Sequence, residues 1–319
     1  MMSTRLAAVL VATIATSAAA QEWPAKPIRV VVPLGAGSAP DIVPRIVLDQ
    51  VGRQIGQTFV IENRPGAGQT TGTAVVARAD PDGYTLLATS NTLAASPALY
   101  ANMPYNTTKD LAGIAQFGLS PMTLVVGPDA PHKNVGEFVT FAKNAPNPIN
   151  FATSGAGTSP HLAAERFRLS AGFQAAPVAF KGSGEALTEV VAGRIDFCFC
   201  PVGSSIELIR SGKLRSLAVS PTVRVHAVPD APTTTELGFK DSDYGSWLGM
   251  LAPRGTPRPI LERMAHEIGV AMKVPSVAAR LAPNGIQPTD VSLEAFDALI
   301  VKDIEVHMQI AKAISLRGN

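Results

Sequence analysis

The chain has 319 residues, 46% hydrophobic and only 16% charged, with 27 glycines and 26 prolines, a globular, loop-rich composition that excludes disorder and a small disulfide scaffold. Lys and Arg total 27 against 25 Asp and Glu, scattered rather than clustered, so nothing in the charge pattern offers a footprint for nucleic acid. At roughly 100–200 residues per domain, the length suggests two domains, each with its own core.

Residues 1–20 read MMSTRLAAVLVATIATSAAA: Arg5, an apolar stretch over 6–14, then an A-x-A cleavage site at Ala18–Ala20. That order predicts a secretory signal peptide rather than a spanning helix, because the apolar stretch is too short to cross a bilayer. The mature chain is therefore expected to start at Gln21 and to work outside the cytoplasm.

Apolar, β-branched runs over 28–34, 58–62 and 85–89 each end in a loop that opens a helical pattern: GAGSAPD, NRPGAGQTTG and SNT. The pattern recurs over 149–153, 176–180 and 195–200, before SGAGTSPH, KGSGEA and PVGSS, with a further strand over 214–219. Strands alternating with helices imply parallel sheets, so two similar α/β lobes are expected. Apolar strands over 121–128 and 246–253 would lead out of the first lobe and back. Helices near 259–272, 275–281 and 293–314 are assigned to that first lobe, which makes it discontinuous: residues 21–124 with 247–319, against 125–246 for the second.

In an open parallel sheet, ligands bind at the carboxyl ends of the strands, where loops feed helix starts. Facing lobes would bring the glycine-rich loops to one cleft, whose unpaired N–H groups and positive dipole ends suit an anion. Ser38 and Asp41 have the spacing of a capping box, and Ser159-Pro160 has the order of an N-cap followed by proline. His161 in the first turn of its helix is placed either toward the cleft or in a capping or packing role. Other chemistries fit less well. Gly35, Gly37 and Glu62 imitate a dinucleotide fingerprint, but Pro40 stands where its third glycine should be. Ser183 lacks the first glycine of a nucleophile elbow, with Lys181 in its place. The five histidines have no metal-ligand spacing. Cys198 and Cys200 sit two apart in one strand, which would hold their Cα atoms near the ~7 Å limit for a disulfide, so both are expected as reduced thiols.

The segments VVPLGAGSAPD, VIENRPGAGQTTG, ADPDGYTLLATS, LYANMPYN, SGAGTSPHLAAERF, AFKGSGEALTEVVAGRIDF, SGKLRSLAV and WLGMLAPRGTP together resemble the receptors of tripartite tricarboxylate transporters, the TctC or Bug family, along essentially the whole mature chain. The resemblance implies a two-lobed periplasmic-binding-protein (Venus-flytrap) fold, each lobe a mostly parallel sheet flanked by helices, joined by two connecting strands. It implies a periplasmic, monomeric receptor that captures a small organic carboxylate and delivers it to integral membrane subunits of a transporter, without catalysis or cofactor. A sensor subunit for a membrane signalling protein, and an exported α/β enzyme, are the competing readings. Carried over motif by motif, the implied ligand-binding residues are Leu34, Gly35, Gly37, Ser38 and Asp41 in the first loop and, across the cleft, Ser154, Gly157 and Thr158, then Phe180, Lys181 and Gly182, and Cys200. By their place at a strand end or helix start, Ser90, Asn91 and His161 are counted with them. Ser38 and Pro40 depart from the family pattern in the first loop, Phe180 replaces its usual tyrosine, and Cys200 its usual aspartate. Those last two changes point to a ligand with a carboxylate and a sizeable apolar part, an aromatic ring included.

Overall fold

The computed structural model describes residues 23–100, 102–155, 157–180, 182–289 and 291–313; the expected signal peptide lies outside them. In chain order the first lobe opens with β1 (Ile28–Val32), α1 (Ala39–Ile55), β2 (Phe59–Asn63), α2 (Thr70–Ala77), β3 (Thr85–Ser90), α3 (Thr92–Leu99) and the short α4 (Thr107–Asp110). β4 (Leu111–Val126) leads out of it. The second lobe follows as α5 (Val135–Asn144), β5 (Ile149–Thr153), α6 (Ser159–Ala171), β6 (Ala175–Ala179), α7 (Ser183–Val191), β7 (Phe197–Pro201), α8 (Val202–Arg210) and β8 (Arg215–Val219). β9 (Gly245–Pro253) returns to α9 (Arg258–Met272), α10 (Pro275–Leu281) and α11 (Leu293–Ala313).

β1 lies between β2 and β3, parallel to both, and β5 between β6 and β7, again parallel. β1, β3, β5 and β7 are largely buried on both faces because helices cover both faces of each sheet, while the edge strands β2 and β6 are only partly buried. In β1, Ile28, Val30 and Val32 enter one core with Val43, Val47 and Met264, while Val31 enters another with Leu87, Trp247 and Phe296. β7 alternates likewise: Phe197 and Phe199 join Phe138, Phe151 and Phe167 under α6, and Cys198 and Cys200 face Leu187 and Val190 of α7. Truncating any of these buried phenylalanines to alanine should cost about 3–5 kcal/mol.

β4 joins the two sheets. Its first part, Leu111 to Pro121, pairs antiparallel with β9, and Met122 to Val126 run between β7 and β8. The partners change at Pro121–Met122, where the returning chain at Tyr244–Gly245 is also bonded: Tyr244 N–H donates to Ser220 O, and Gly245 stands opposite Pro121. The strand expected over 121–128 is thus the second part of a sixteen-residue strand. Its first part, over which no strand is expected from the sequence, carries Gly113 and Gly118 at two register shifts against β9, where a local bulge suits a residue without a side chain.

One of the closing helices also departs from expectation. α9 and α10 pack on the first lobe through Met264, Ile268, Val277 and Leu281. α11, at 21 residues about 30 Å long, begins on the first lobe with Phe296 and Ile300 and ends in the core of the second with Ile310. Its apolar stripe runs its whole length, so it spans both lobes.

Candidate ligand-binding site

The loops leaving β1 and β5 carry the same pattern 120 residues apart: Gly35-Ala36-Gly37-Ser38-Ala39-Pro40-Asp41 and Gly155-Ala156-Gly157-Thr158-Ser159-Pro160-His161. They also fold alike. The Ser38 hydroxyl donates to Gly35 O at 2.8 Å, and the Thr158 hydroxyl to Gly155 O at 2.7 Å. Gly37 N–H donates to Asp41 Oδ2 at 2.9 Å, and Gly157 N–H to His161 Nδ1 at 3.0 Å. Both turns place the second glycine in the left-handed region, with φ of 81° and 72°, a conformation that favours glycine. Two expectations are corrected here. Ser38 occupies the N-cap position but its side chain makes no cap bond, because the hydroxyl is spent on its own loop. In α6 the N-cap is Thr158, and Ser159 is the first helical residue.

The side chain that closes each loop is held within its own lobe. Asp41, 3% exposed, accepts from Arg45 Nε and Asn63 Nδ2, both at 2.9 Å, and Asn63 also donates to Leu34 O. Burial opposes its ionisation, but the bonds from Arg45, Gly37 N–H and Asn63 together outweigh burial and hold the carboxyl below its usual range. His161 is buried and stacks on Phe151. Burial, with a smaller contribution from Arg168, lowers its pKa to about 4. Its Nδ1 is an acceptor, so the ring is neutral with the proton on Nε2, 3.8 Å from Glu165 Oε1. Glu165 pairs with Arg168 at 2.6 Å, and burial raises its carboxyl above the ordinary value. Asp41 and His161 therefore fix loop shape and leave their side chains no reach into the cleft. Pro40 and Pro160, second in their helices, have no N–H. The donors that such a helix start leaves free for a ligand are the N–H groups of the first helical residues, Ala39 and Ser159.

The two lobes touch where β3 ends. Asn91 Oδ1 accepts from the hydroxyls of Ser159 and Ser246, each at 3.0 Å, and its Nδ2 donates to Tyr244 Oη and Gly245 O. Tyr244 Oη lies 3.3 Å from His307 Nε2 of α11. Every side chain in this group is buried. It ties the first lobe, the start of α6, the returning strand and the long helix at one point. Beside it, Leu99 of α3 lies against Gly157; a Cβ there would come within 2.1 Å of Leu99 Cδ1. Contact between Asn91 and Ser159 brings the carboxyl ends of β3 and β5 together, and β1 is the neighbour of β3, so both repeated loops open on the same side.

The remaining sequence-derived residues divide. Leu34 is half-buried and Gly35 exposed at the first loop, and Ser154 is half-buried at the second. Ser90 is buried with its hydroxyl bonded to Thr92, and Asn91 has both ends of its amide engaged, so neither side chain is free. Gly182 has extended backbone at the start of α7 and nothing within 4 Å of an added Cβ; Lys181 lies outside the described residues. Cys200 is corrected outright. It is joined to Cys198 in a disulfide whose Cα atoms are 5.5 Å apart, inside the range of about 4.4–6.8 Å that the bond requires. The pleat and twist of β7 shorten the two-residue span below that of a flat strand. Phe180 packs in the same cluster as the disulfide, with Ala186 and Leu187. Cys200 is buried between β7 and α7, and Phe180 is half-buried against the same cluster.

Arg45, Asn63, Ser159, Tyr244 and Ser246 were absent from the sequence-derived set. The 120-residue spacing of the two loops was the available signal for the first pair: Arg45 follows Asp41 by four residues as Glu165 follows His161. A third loop, Gly66 to Gln69 after β2, reaches the same rim. Gln69 accepts from the Thr89 hydroxyl at 2.7 Å, near the end of β3.

Residues 43–316 match the model of the tripartite tricarboxylate transporter family receptor, TctC. Among solved structures, periplasmic binding protein BugD superposes with a TM-score of 0.80 at 29% identity, over 93% of this chain and 100% of that one. MatC from Rhodopseudomonas palustris with bound malate superposes with a TM-score of 0.77 at 28% identity, over 90% and 99%. R. palustris Rpa4515 with adipate gives 0.81 at 26% identity, over 91% and 98%.

Proposed function

This chain belongs to the tripartite tricarboxylate transporter family of receptors, and we propose that it captures a small organic acid with two carboxylates between its lobes and delivers it to the membrane subunits of such a transporter. The observation that carries the reading is the repeated loop. Two helix starts with the same internal hydrogen bonds, one per lobe, each present a positive dipole end and a free first-turn N–H. An acid with a carboxylate at each end would engage both at once, and lobe closure would then depend on ligand length. The two R. palustris relatives hold malate and adipate, each a dicarboxylate. β4 at Pro121–Met122 and the chain at Tyr244–Gly245 serve as the hinge, with residues up to about 124 and from about 247 in one lobe. Periplasmic location, with residues 1–20 as the export signal, agrees with the disulfide, a bond kept in oxidising compartments. Among the described residues no helix is long and apolar enough to cross a membrane.

A thermal-shift screen of mono-, di- and tricarboxylates tests the proposal, because a ligand that binds only the folded state raises Tm with ln(1 + [L]/Kd). Shifts confined to dicarboxylates are expected. A panel in which no carboxylate moves Tm, using protein unfolded and refolded to strip bound ligand, would overturn it.

A further inference from the structure

Gln69 is at odds with its surroundings in two ways. It ends the glycine-rich run Gly66-Ala67-Gly68 and itself adopts φ 78°, ψ −8°, a left-handed conformation disfavoured for any residue with a Cβ. Its side chain is 3% exposed, and only one end is satisfied. Oε1 accepts from Thr89 Oγ1, while Nε2 is fully buried with no hydrogen-bond partner. Glycine at this position would carry neither cost. A strained backbone and an unsatisfied buried donor in one residue are features that persist at functional sites.

The position is the rim already described. Thr89 is the next-to-last residue of β3, and Asn91, two residues on, makes the contact with the second lobe. Gly68, the neighbour of Gln69, is packed under Tyr100 and its carbonyl faces the Ser96 hydroxyl of α3. Leu99, next to Tyr100, is the residue that abuts Gly157 in the second-lobe loop. Gln69 thus stands at the carboxyl end of β3, near the edge where the lobes meet. Resting on the carboxylate-receptor reading, we propose that Gln69 is a specificity-determining residue whose amide Nε2 donates to an oxygen of the bound acid. It adds an uncharged side-chain donor from a third loop to the backbone donors of the two repeated loops. Thr89 fixes the amide orientation, and lobe opening must uncover Nε2, which is fully buried here, before the acid can reach it.

The test uses calorimetric titration with malate and adipate, joined by any acid that shifts Tm in the screen, on the wild type, Gln69→Gly and Gln69→Glu. Gln69→Gly relieves the backbone and removes the unsatisfied donor but leaves the buried Thr89 hydroxyl without its acceptor, so it should fold with a Tm close to wild type and bind the acid at least ~10-fold more weakly. Gln69→Glu keeps the shape but sets a carboxylate against an anion, and should weaken binding further. Wild-type affinity in a folded Gln69→Gly protein would overturn this inference and leave the receptor reading intact. A wild type that binds no acid would overturn both.

Discussion

Acid should unlock the second-lobe loop through His161. The Gly157 N–H needs a lone pair on Nδ1, so a proton arriving there expels it. In the folded chain burial lowers the His161 pKa to about 4 from its ordinary value of about 6.5. The sign follows directly: between these values the unfolded chain holds the proton and the folded chain does not, so stability is fully present above about pH 6.5 and is lost as pH falls toward 4. A gap of about 2.5 units at 1.36 kcal/mol each amounts to roughly 3 kcal/mol. His307, also buried, is lowered to about 4 and loses stability in the same window. Urea unfolding of the wild type and His161→Asn from pH 7.5 to pH 4 isolates the His161 share. Asparagine can accept from Gly157 N–H without titrating, though it forfeits the stacking on Phe151, the approach of Nε2 to Glu165 and part of the buried ring volume. The variant should therefore be less stable than wild type at pH 7.5, and its loss between pH 6.5 and 4 should be smaller by about 3 kcal/mol. Parallel pH profiles for the two proteins would refute the assigned tautomer and the role of His161 in holding the loop.

Other outcomes can be stated as firmly. Asn91→Ala removes four hydrogen bonds at the lobe contact and should cost about 1–3 kcal/mol; small-angle scattering should show a larger radius of gyration without ligand, and an unchanged radius would count against the contact as a tie between lobes. Gly157→Val combines a side chain at φ 72° with collision against Leu99, so it should abolish binding in a protein that still unfolds cooperatively, and normal calorimetric binding would mean the loop is not at the ligand. Asp303, whose carboxyl is pushed up to about 6 by burial against the bond from Trp247 Nε1, holds its proton in the folded chain between about pH 4 and 6 and so costs stability as pH rises through that window. Asp303→Asn should raise stability at pH 7 by up to about 3 kcal/mol in denaturant titration, and a less stable variant would show that the ionised group is the stabilising form.

Much of the α/β alternation was legible because strand and helix periods are local. The strand over 149–153 and the helix over 275–281 coincide with β5 and α10, where β-branched or apolar runs meet abrupt proline or glycine boundaries. The first part of β4 was not legible, since its glycines lower strand propensity and its pairing with β9 is made with residues more than 120 positions away. Likewise the capping pattern at Ser38 and Asp41 was visible, but the same atoms satisfy a competing geometry within the loop, and spacing alone does not choose between them. The contact of Asn91 with Ser159, Ser246 and Tyr244 joins residues from three distant segments, so no local pattern announces it. The Cys198–Cys200 bond depends on the shortening of one strand, which a uniform rise per residue does not capture.

The direct measurement is isothermal titration of ligand-stripped protein with a series of unbranched α,ω-dicarboxylates, from malonate upward, and with the matching diamides. A receptor that seats one carboxylate on each repeated loop should bind at least one of the diacids, one per chain, and release no heat with its diamide. Equal binding of the diamides, or no binding across the whole series of diacids, would contradict it.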